Sequence, residues 1–404
     1  MASALLSGSS PGAAEATAFR VLKTSQIRPG VVLRHAIHDE SNVLLLAAGV
    51  TVTPLIRDRL IQRNIDQVLV HPGEWQRLTN RQPKFLEQSL PIPTTPSSLD
   101  RRPFVEQVKR PGTVYYSRET AREIVQHHDQ SLVQMKDMFA TVKVVRPSEF
   151  GAIQGLSVES LDEISRDIDL FVMLGIMPDP NDFPARHGLH TAMLAMSIGT
   201  NLGLDRANLV ALGTGCMVHD IGLSRLRQDL IRNDKPLTQA AYLELSKHPG
   251  ITYDMLQQVD GHAGLARLIA YQVHERCNGT GYPRRRERNQ IHPLSRIAAV
   301  ADTYTALISP RSYRPPHLPY DAVKELLKGV QNGLFDTTAV RGLLQTVSLF
   351  PLGSFVELCD GRVGRVVRSN VIEYARPIVE IGGVLVDLSQ NNDAQIVRAI
   401  PPTA

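Results

Sequence analysis

The apolar positions along this chain change their period twice, and the changes divide it. Between residues 19 and 80 short apolar runs follow one another. GVVLRHAI reads as a strand, LLLAAG follows it, TPLIRDRLIQRN reads as an amphipathic helix and DQVLVH as a further strand. Thr53 before Pro54 is a cap-plus-proline signal for the start of that helix. From residue 117 the apolar spacing becomes three-to-four, beginning with SRETAREIVQHHDQSLVQMKDMF. It predicts helices around 157–174, 187–203, 205–219, 237–247, 250–259, 263–276, 293–308 and 320–329. After residue 346 the period shortens again. FVEL and VGRVV read as strands joined at an Asp-Gly turn, and PIVEIGGVLVDL as two more short strands.

These periods predict a mainly α protein in five stretches: a floppy tail over 1–18, a small α/β unit over 19–80, a linker over 81–116, a helical domain over 117–345 and a small β domain over 346–404. The linker reading rests on the Pro, Ser and Thr of PIPTTPSSLDRRP. At 404 residues the chain is long enough for two or three domains and a sizeable core. With 43% hydrophobic and 21% charged residues it reads as globular. No apolar run reaches the roughly 18 residues of a transmembrane helix, so no span is expected. The first residues lack the charged start and long apolar core of a secretion signal. The charge, 44 − 40 = +4, is too small to argue for a nucleic-acid partner and does not disfavour an anionic small molecule. Cys216, Cys277 and Cys359 form no CxxC and imply no disulfide framework, in keeping with an expected cytoplasmic location.

Within the helical stretch, side chains of metal-binding type recur in order: His187, the adjacent pair His219-Asp220, His248, His274 and Asp302. Imidazole and carboxylate both ligate divalent cations, and both are expensive to bury without a metal or hydrogen bonds. His187 and His190 lie three apart in RHGLHTAMLAMSIG and share a helix face, an arrangement that also suits a satisfied core. His219 and Asp220 close the apolar helix LVALGTGCMVHDIG. Consecutive helical residues point about 100° apart, so the two serve one metal only at a helix end, or with the carboxylate between two metals. An aspartate capping a neighbouring helix beside a core histidine is the other reading. His248 opens a helix with Pro249 in its first turn. His274 precedes the loop Gly279-Thr280-Gly281-Tyr282-Pro283, whose glycines let backbone N–H groups approach a phosphate. Asp302 is a lone carboxylate in the apolar helix SRIAAVADTYTALI. Arg311 and Arg314 follow it and suit either bidentate contact with phosphate oxygens or a solvated basic loop.

Together HGLHTAMLA, VHDIG, KHPGITYDML, VHERCNGTGYP and SRIAAVADTYTALISPRSYR resemble the HD-GYP family, a subset of the HD superfamily of metal-dependent phosphohydrolases, over about residues 180–315. The resemblance implies a helical HD-type bundle around an iron or manganese centre that hydrolyses the bacterial second messenger cyclic di-GMP to pGpG or GMP. Carried over by position, it implies His187, His219, Asp220, His248, His274 and Asp302 as metal ligands, with Asp220 bridging and His190 as the alternative first ligand. It implies Gly279, Gly281, Tyr282 and Pro283 as the substrate loop, and Asp220, Arg311 and Arg314 as the catalytic set.

The chain departs from the family pattern at four positions. Val273 replaces one of two adjacent histidines, Leu223 the lysine after the His-Asp motif, and Asn278 the aspartate that opens the loop. Phe183 stands where some members carry a glutamate, so two divalent ions are expected rather than three. The expectation is a metal-dependent phosphodiesterase with a cyclic dinucleotide substrate. A degenerate module that binds a nucleotide or a protein without turnover is the alternative, and a hydrolase of another phosphorylated nucleotide a third. The flanking units are compatible with a regulatory protein partner and with a homo-oligomer.

Overall fold

The computed structural model describes residues 19–39, 43–63, 65–79, 102–142, 144–177, 181, 183–227, 238–257, 259, 263–310, 314–391 and 394–401. The expected tail over 1–18 lies outside these residues, as do the Pro-rich stretch 91–101 and Arg311. The chain forms two compact units, 1–91 and 92–404.

The first unit contains β1 (Arg20–Lys23), β2 (Ile37–His38), β3 (Leu44–Leu46), α1 (Pro54–Gln62), β4 (Gln67–Val70) and α2 (Pro72–Thr79). The strands form an antiparallel sheet in the order β1-β4-β2-β3. Leu22, Ile37, Val68 and Val70 point into a small core with Leu78. The Thr53 hydroxyl accepts from Ile56 N at 3.2 Å and caps α1, as the Thr-Pro signal predicts. GVVLRHAI is strand only at its end, because its earlier residues bond irregularly to 49–52. α2 was not legible as a helix: it is short and opens Pro72-Gly73.

The second unit contains α3 (Arg118–Thr141), α4 (Pro147–Arg166), α5 (Ile168–Gly175), α6 (Ala185–Asn201), α7 (Arg206–Val218), α8 (Gln239–Leu245), α9 (His248–Met255), α10 (Ala263–Gln272), α11 (Pro293–Ile308), α12 (Pro319–Gln331) and α13 (Thr337–Val347). The strands β5 (Phe355–Leu358), β6 (Val363–Arg368), β7 (Ile378–Ile381), β8 (Val384–Asp387) and β9 (Ile396–Ile400) follow. They form an antiparallel sheet in the order β8-β7-β6-β5-β9. The helix expected over 157–174 is two, α4 and α5. Asp167 between them is extended and its carboxylate accepts from Leu170 N at 3.2 Å, which ends one helix and caps the next.

α6 runs through the middle of this unit. From Ala185 to Thr200 every residue but Arg186 is buried, the mark of a helix enclosed on all sides. Gly188 permits this, since a Cβ there would lie 2.6 Å from Met217 O in α7. One hydrophobic cluster includes Leu194 and Ile198 of α6, Leu343 of α13, and Val356, Val366 and Val379 of the sheet. No helix among the described residues is long and apolar enough to cross a membrane.

Candidate metal centre

Five segments of the second unit bring the candidate ligands together. His187 comes from the first turn of α6 and Asp302 from the middle of α11. His219 and Asp220 follow the end of α7, where the chain leaves helical geometry and both side chains can turn the same way. His248 opens α9 with Pro249 in its first turn, and His274 stands two residues past α10. All six are buried.

The contacts among them are close. His187 Nε2 is 2.9 Å from Asp302 Oδ1. His248 Nε2 is 3.2 Å from Asp220 Oδ1 and 2.9 Å from His274 Nε2. His274 reaches Asp302 Oδ2 through Nδ1 at 3.4 Å and Asp220 Oδ1 through Nε2 at 3.6 Å. His219 Nε2 is buried without a hydrogen-bond partner, its nearest carboxylate oxygens being Asp220 Oδ1 at 3.4 Å and Asp302 Oδ1 at 3.7 Å. Two overlapping sets, His187-His219-Asp302 and His219-Asp220-His274, each offer three ligand atoms within 4.8 Å of one another.

The proton arrangement suits cations. His219 Nδ1–H donates to Cys216 O at 2.6 Å and His248 Nδ1–H to Leu245 O at 2.7 Å. Each bond anchors Nδ1 and points Nε2 inward, as outer hydrogen bonds do for metal-binding histidines. Burial by itself would raise the Asp220 carboxyl, but His219 and hydrogen bonds from His248 and His274 hold it well below the usual carboxylate range. Asp302 is held low in the same way by His187, His219 and His274. Burial disfavours charge on His219, yet the neighbouring carboxylates raise it to about 9. Two buried carboxylates thus demand positive charge; imidazole protons on His219 and His274 supply it here, and a divalent ion at the inward-facing nitrogens would supply it in their place. The residues fit divalent metal ions, and imidazole with carboxylate suits iron, manganese or zinc.

His190 stands outside both ligand sets. Its Nε2 faces His128 Nε2 at 3.0 Å, and burial pushes it down to about 3. Val273 is fully buried in the apolar core and Leu223 is buried. Asn278 does make the loop-opening turn, accepting from Thr280 N at 3.2 Å and Thr280 Oγ1 at 2.7 Å. Gly279 has φ +75°. Tyr282 stacks on His274 at 4.9 Å and 20°, so the loop Gly279–Pro283 walls one side of the cluster. The Arg314 guanidinium bonds the carbonyls of Ala306, Leu307 and Pro315, which ties down the end of α11.

Other residues support the site and were not singled out in the sequence. Thr252 Oγ1 donates to His219 O and accepts from Gly222 N, both at 3.0 Å, pinning the His-Asp turn to α9. The buried Glu275 carboxylate accepts from Arg284 N at 2.8 Å and Arg286 N at 2.9 Å, holding the loop's far end. Tyr282, Tyr242, Lys247, Arg284 and Arg285 line a cleft of about 440 Å³ beside His274. Basic residues on both sides of the motifs, in SKHPG and YPRRRER, were the available signal.

Comparison with known proteins follows this geometry. The family profile described as HD domain matches residues 173–339. A cyclic di-GMP phosphodiesterase of Pseudomonas aeruginosa is 26% identical over 60% of this chain and 59% of its own length. One of Borreliella burgdorferi is 26% identical over 54% and 57%. A 3'3'-cGAMP-specific phosphodiesterase of Vibrio cholerae is 30% identical over 40% of this chain and 36% of its own. The chain therefore spans less than two thirds of the length of these relatives. A solved structure of an HDG"Y"P protein from Bdellovibrio bacteriovorus aligns over 80% of this chain and 98% of that one, with TM-score 0.48 and 14% identity.

Proposed function

We propose that this chain, which matches an HD-domain profile over residues 173–339 and carries the HD-GYP motifs, is a metal-dependent phosphodiesterase of cyclic dinucleotides. The observation that carries this reading is His219 Nε2, buried and unpartnered between two low-lying carboxylates beside an open cleft. His187, His219 and Asp302 would hold one divalent ion, and Asp220, His248 and His274 a second, with iron or manganese as the metal. Such ions, when bound, acidify water and offset the charge of a phosphodiester.

The chain's own residues set the rest. The carboxyls of Asp220 and Asp302 stay ionised at neutral pH, so cations can displace the imidazole protons that now face them. Leu245 O and Cys216 O anchor the imidazoles through Nδ1. Gly279, Gly281, Tyr282 and Pro283 form a substrate wall over His274. Arg311 and Arg314 supply phosphate contacts, the roles that their positions in the motif imply.

A second reading, binding without turnover, draws on Val273 and Leu223, which bring no ligand and no cation to the site. One experiment separates the two. The full chain is loaded with manganese or ferrous iron, its metal content is measured, and cyclic di-GMP and 3'3'-cGAMP are followed by chromatography. Linear product is expected, abolished by chelation and reduced in Asp220→Asn by more than the roughly 100-fold that outer-shell changes reach. Nucleotide binding without product in the metal-loaded protein would establish the second reading instead.

A further inference from the structure

The cleft beside the cluster carries charge that the cluster does not use. Its lining includes Lys247, Arg284 and Arg285 and no carboxylate. Lys247 pairs with Glu244, but both side chains are largely exposed, so solvent and salt screen that bond and leave the ammonium available to a competing anion. Tyr242 and Tyr282 meet edge-to-face at 5.9 Å and give the same cleft an aromatic flank.

Arg285 is the unusual member. Its φ is +56°, in the left-handed region that disfavours every side chain and suits glycine. The neighbouring amides of Arg284 and Arg286 are both held by the Glu275 carboxylate, so the backbone at 285 is clamped in that shape from either side. The side chain is exposed at the protein surface. Strained backbone held by its surroundings concentrates at binding sites. Here the strained residue lines the same cleft as Tyr282, which stacks on His274.

A cyclic dinucleotide carries two phosphodiesters. With one at the His/Asp cluster, the ring leaves the other outside it and still charged. We propose that Lys247 and Arg285 bind this second phosphodiester, and so select substrates with two phosphates over substrates with one. The inference rests on the cyclic-dinucleotide phosphodiesterase reading. A guanidinium fork and an ammonium point charge are complementary donors for one phosphate, and Tyr242 and Tyr282 offer faces to an adjoining base.

The test uses the full chain, the variants Arg285→Gly, Arg285→Lys and Lys247→Ala, and two ligands: cyclic di-GMP and bis(p-nitrophenyl) phosphate, which has a single phosphodiester. Calorimetry gives the Kd for cyclic di-GMP with calcium in place of the activating metal; turnover of both ligands is measured with manganese. Arg285→Gly is expected to raise the melting temperature, because glycine relieves the left-handed strain, while weakening cyclic di-GMP binding about tenfold or more. Lys247→Ala weakens it similarly, and Arg285→Lys recovers part of the loss. In both losses the effect on cyclic di-GMP exceeds that on the single phosphodiester severalfold. Equal effects on the two ligands, or unchanged cyclic di-GMP affinity in Arg285→Gly and Lys247→Ala, would overturn the proposal. So would wild-type protein that hydrolyses the single phosphodiester but neither binds nor cleaves cyclic di-GMP. Binding without turnover of either ligand sinks the phosphodiesterase reading instead, and the variant affinities then still decide the second-phosphate site.

Discussion

At the scale of single residues the tightest constraint in the site is Gly281. A Cβ there would stand 2.4 Å from Arg276 N, 2.5 Å from His274 O and 2.6 Å from Glu275 C, all backbone atoms that cannot swing aside. An alanine must therefore push the loop outward and lift Tyr282 from His274. Gly281→Ala is expected to lower stability by about 1–3 kcal/mol, the range for overpacking. It should also reduce kcat/KM for the cyclic dinucleotide, while circular dichroism keeps its helical signal. Gly250 lines the same cleft, but a Cβ there meets nothing within 4 Å, so Gly250→Ala should change the melting temperature little and serves as the control. The candidate ligands were legible because an imidazole or carboxylate in an apolar helix demands a partner, as Asp302 among Ala, Val and Thr does. Glu275 and Thr252 were not, because their work is done on backbone amides and carbonyls, which no side-chain pattern announces.

At the scale of elements, α3 and α4 are joined by a charged clamp. His127 of α3 lies 2.9 Å from Glu163 Oε1 and 2.6 Å from Glu159 Oε2, both on α4. The hydrogen bond it donates to Glu163 raises its pKa, burial opposes this, and the net effect is a rise to about 9. The folded pKa therefore exceeds the unfolded value near 6.5. The clamp's stabilisation is complete below about pH 6.5 and is lost as pH rises through about 9. His127→Gln should cost about 1–2 kcal/mol near pH 6 and almost nothing near pH 10, measured by denaturant melts at the two values. An equal loss at both would remove the charge from the explanation. His127 and the paired glutamates were invisible as a clamp in sequence, since 32 and 36 residues separate them. The helices themselves were largely legible from their three-to-four apolar spacing. The break at Asp167 was not, because Ile168 and Leu170 continue the apolar pattern straight through a residue that caps the next helix. α13 also escaped, as Gly342 and its β-branched residues lower its helix propensity, although Asp336 caps it through Thr338 N and Ala339 N.

At the scale of the second unit, the question is whether the C-terminal sheet melts with the helices or apart from them. The shift to alternating periodicity near residue 346 marks a change of secondary structure, and by itself says nothing of where a core ends. Val356, Val366 and Val379 belong to the same hydrophobic cluster as the helices. The last residue of β6, Arg368, is 2% exposed and forks onto Asp167 at 3.0 and 3.1 Å, at the α4–α5 junction. Its Nε donates to Val114 O at 2.9 Å, and its guanidinium lies 4.3 Å from the ring centroid of Tyr116. Ser369 next to it bonds Asp169 on α5. Arg368→Ala would strand the buried Asp167 carboxylate, and removing one partner of a buried pair costs about 3–5 kcal/mol. Because this clasp ties β6 to the α4–α5 junction and the sheet shares one apolar cluster with α6 and α7, the loss should be felt across the unit. Hydrogen exchange should quicken together in 355–400 and in 185–218 of Arg368→Ala, with one shared opening energy. Fast exchange confined to the sheet, with α6 and α7 as protected as before, would mean that the sheet is a separable module whose removal leaves the candidate metal centre standing.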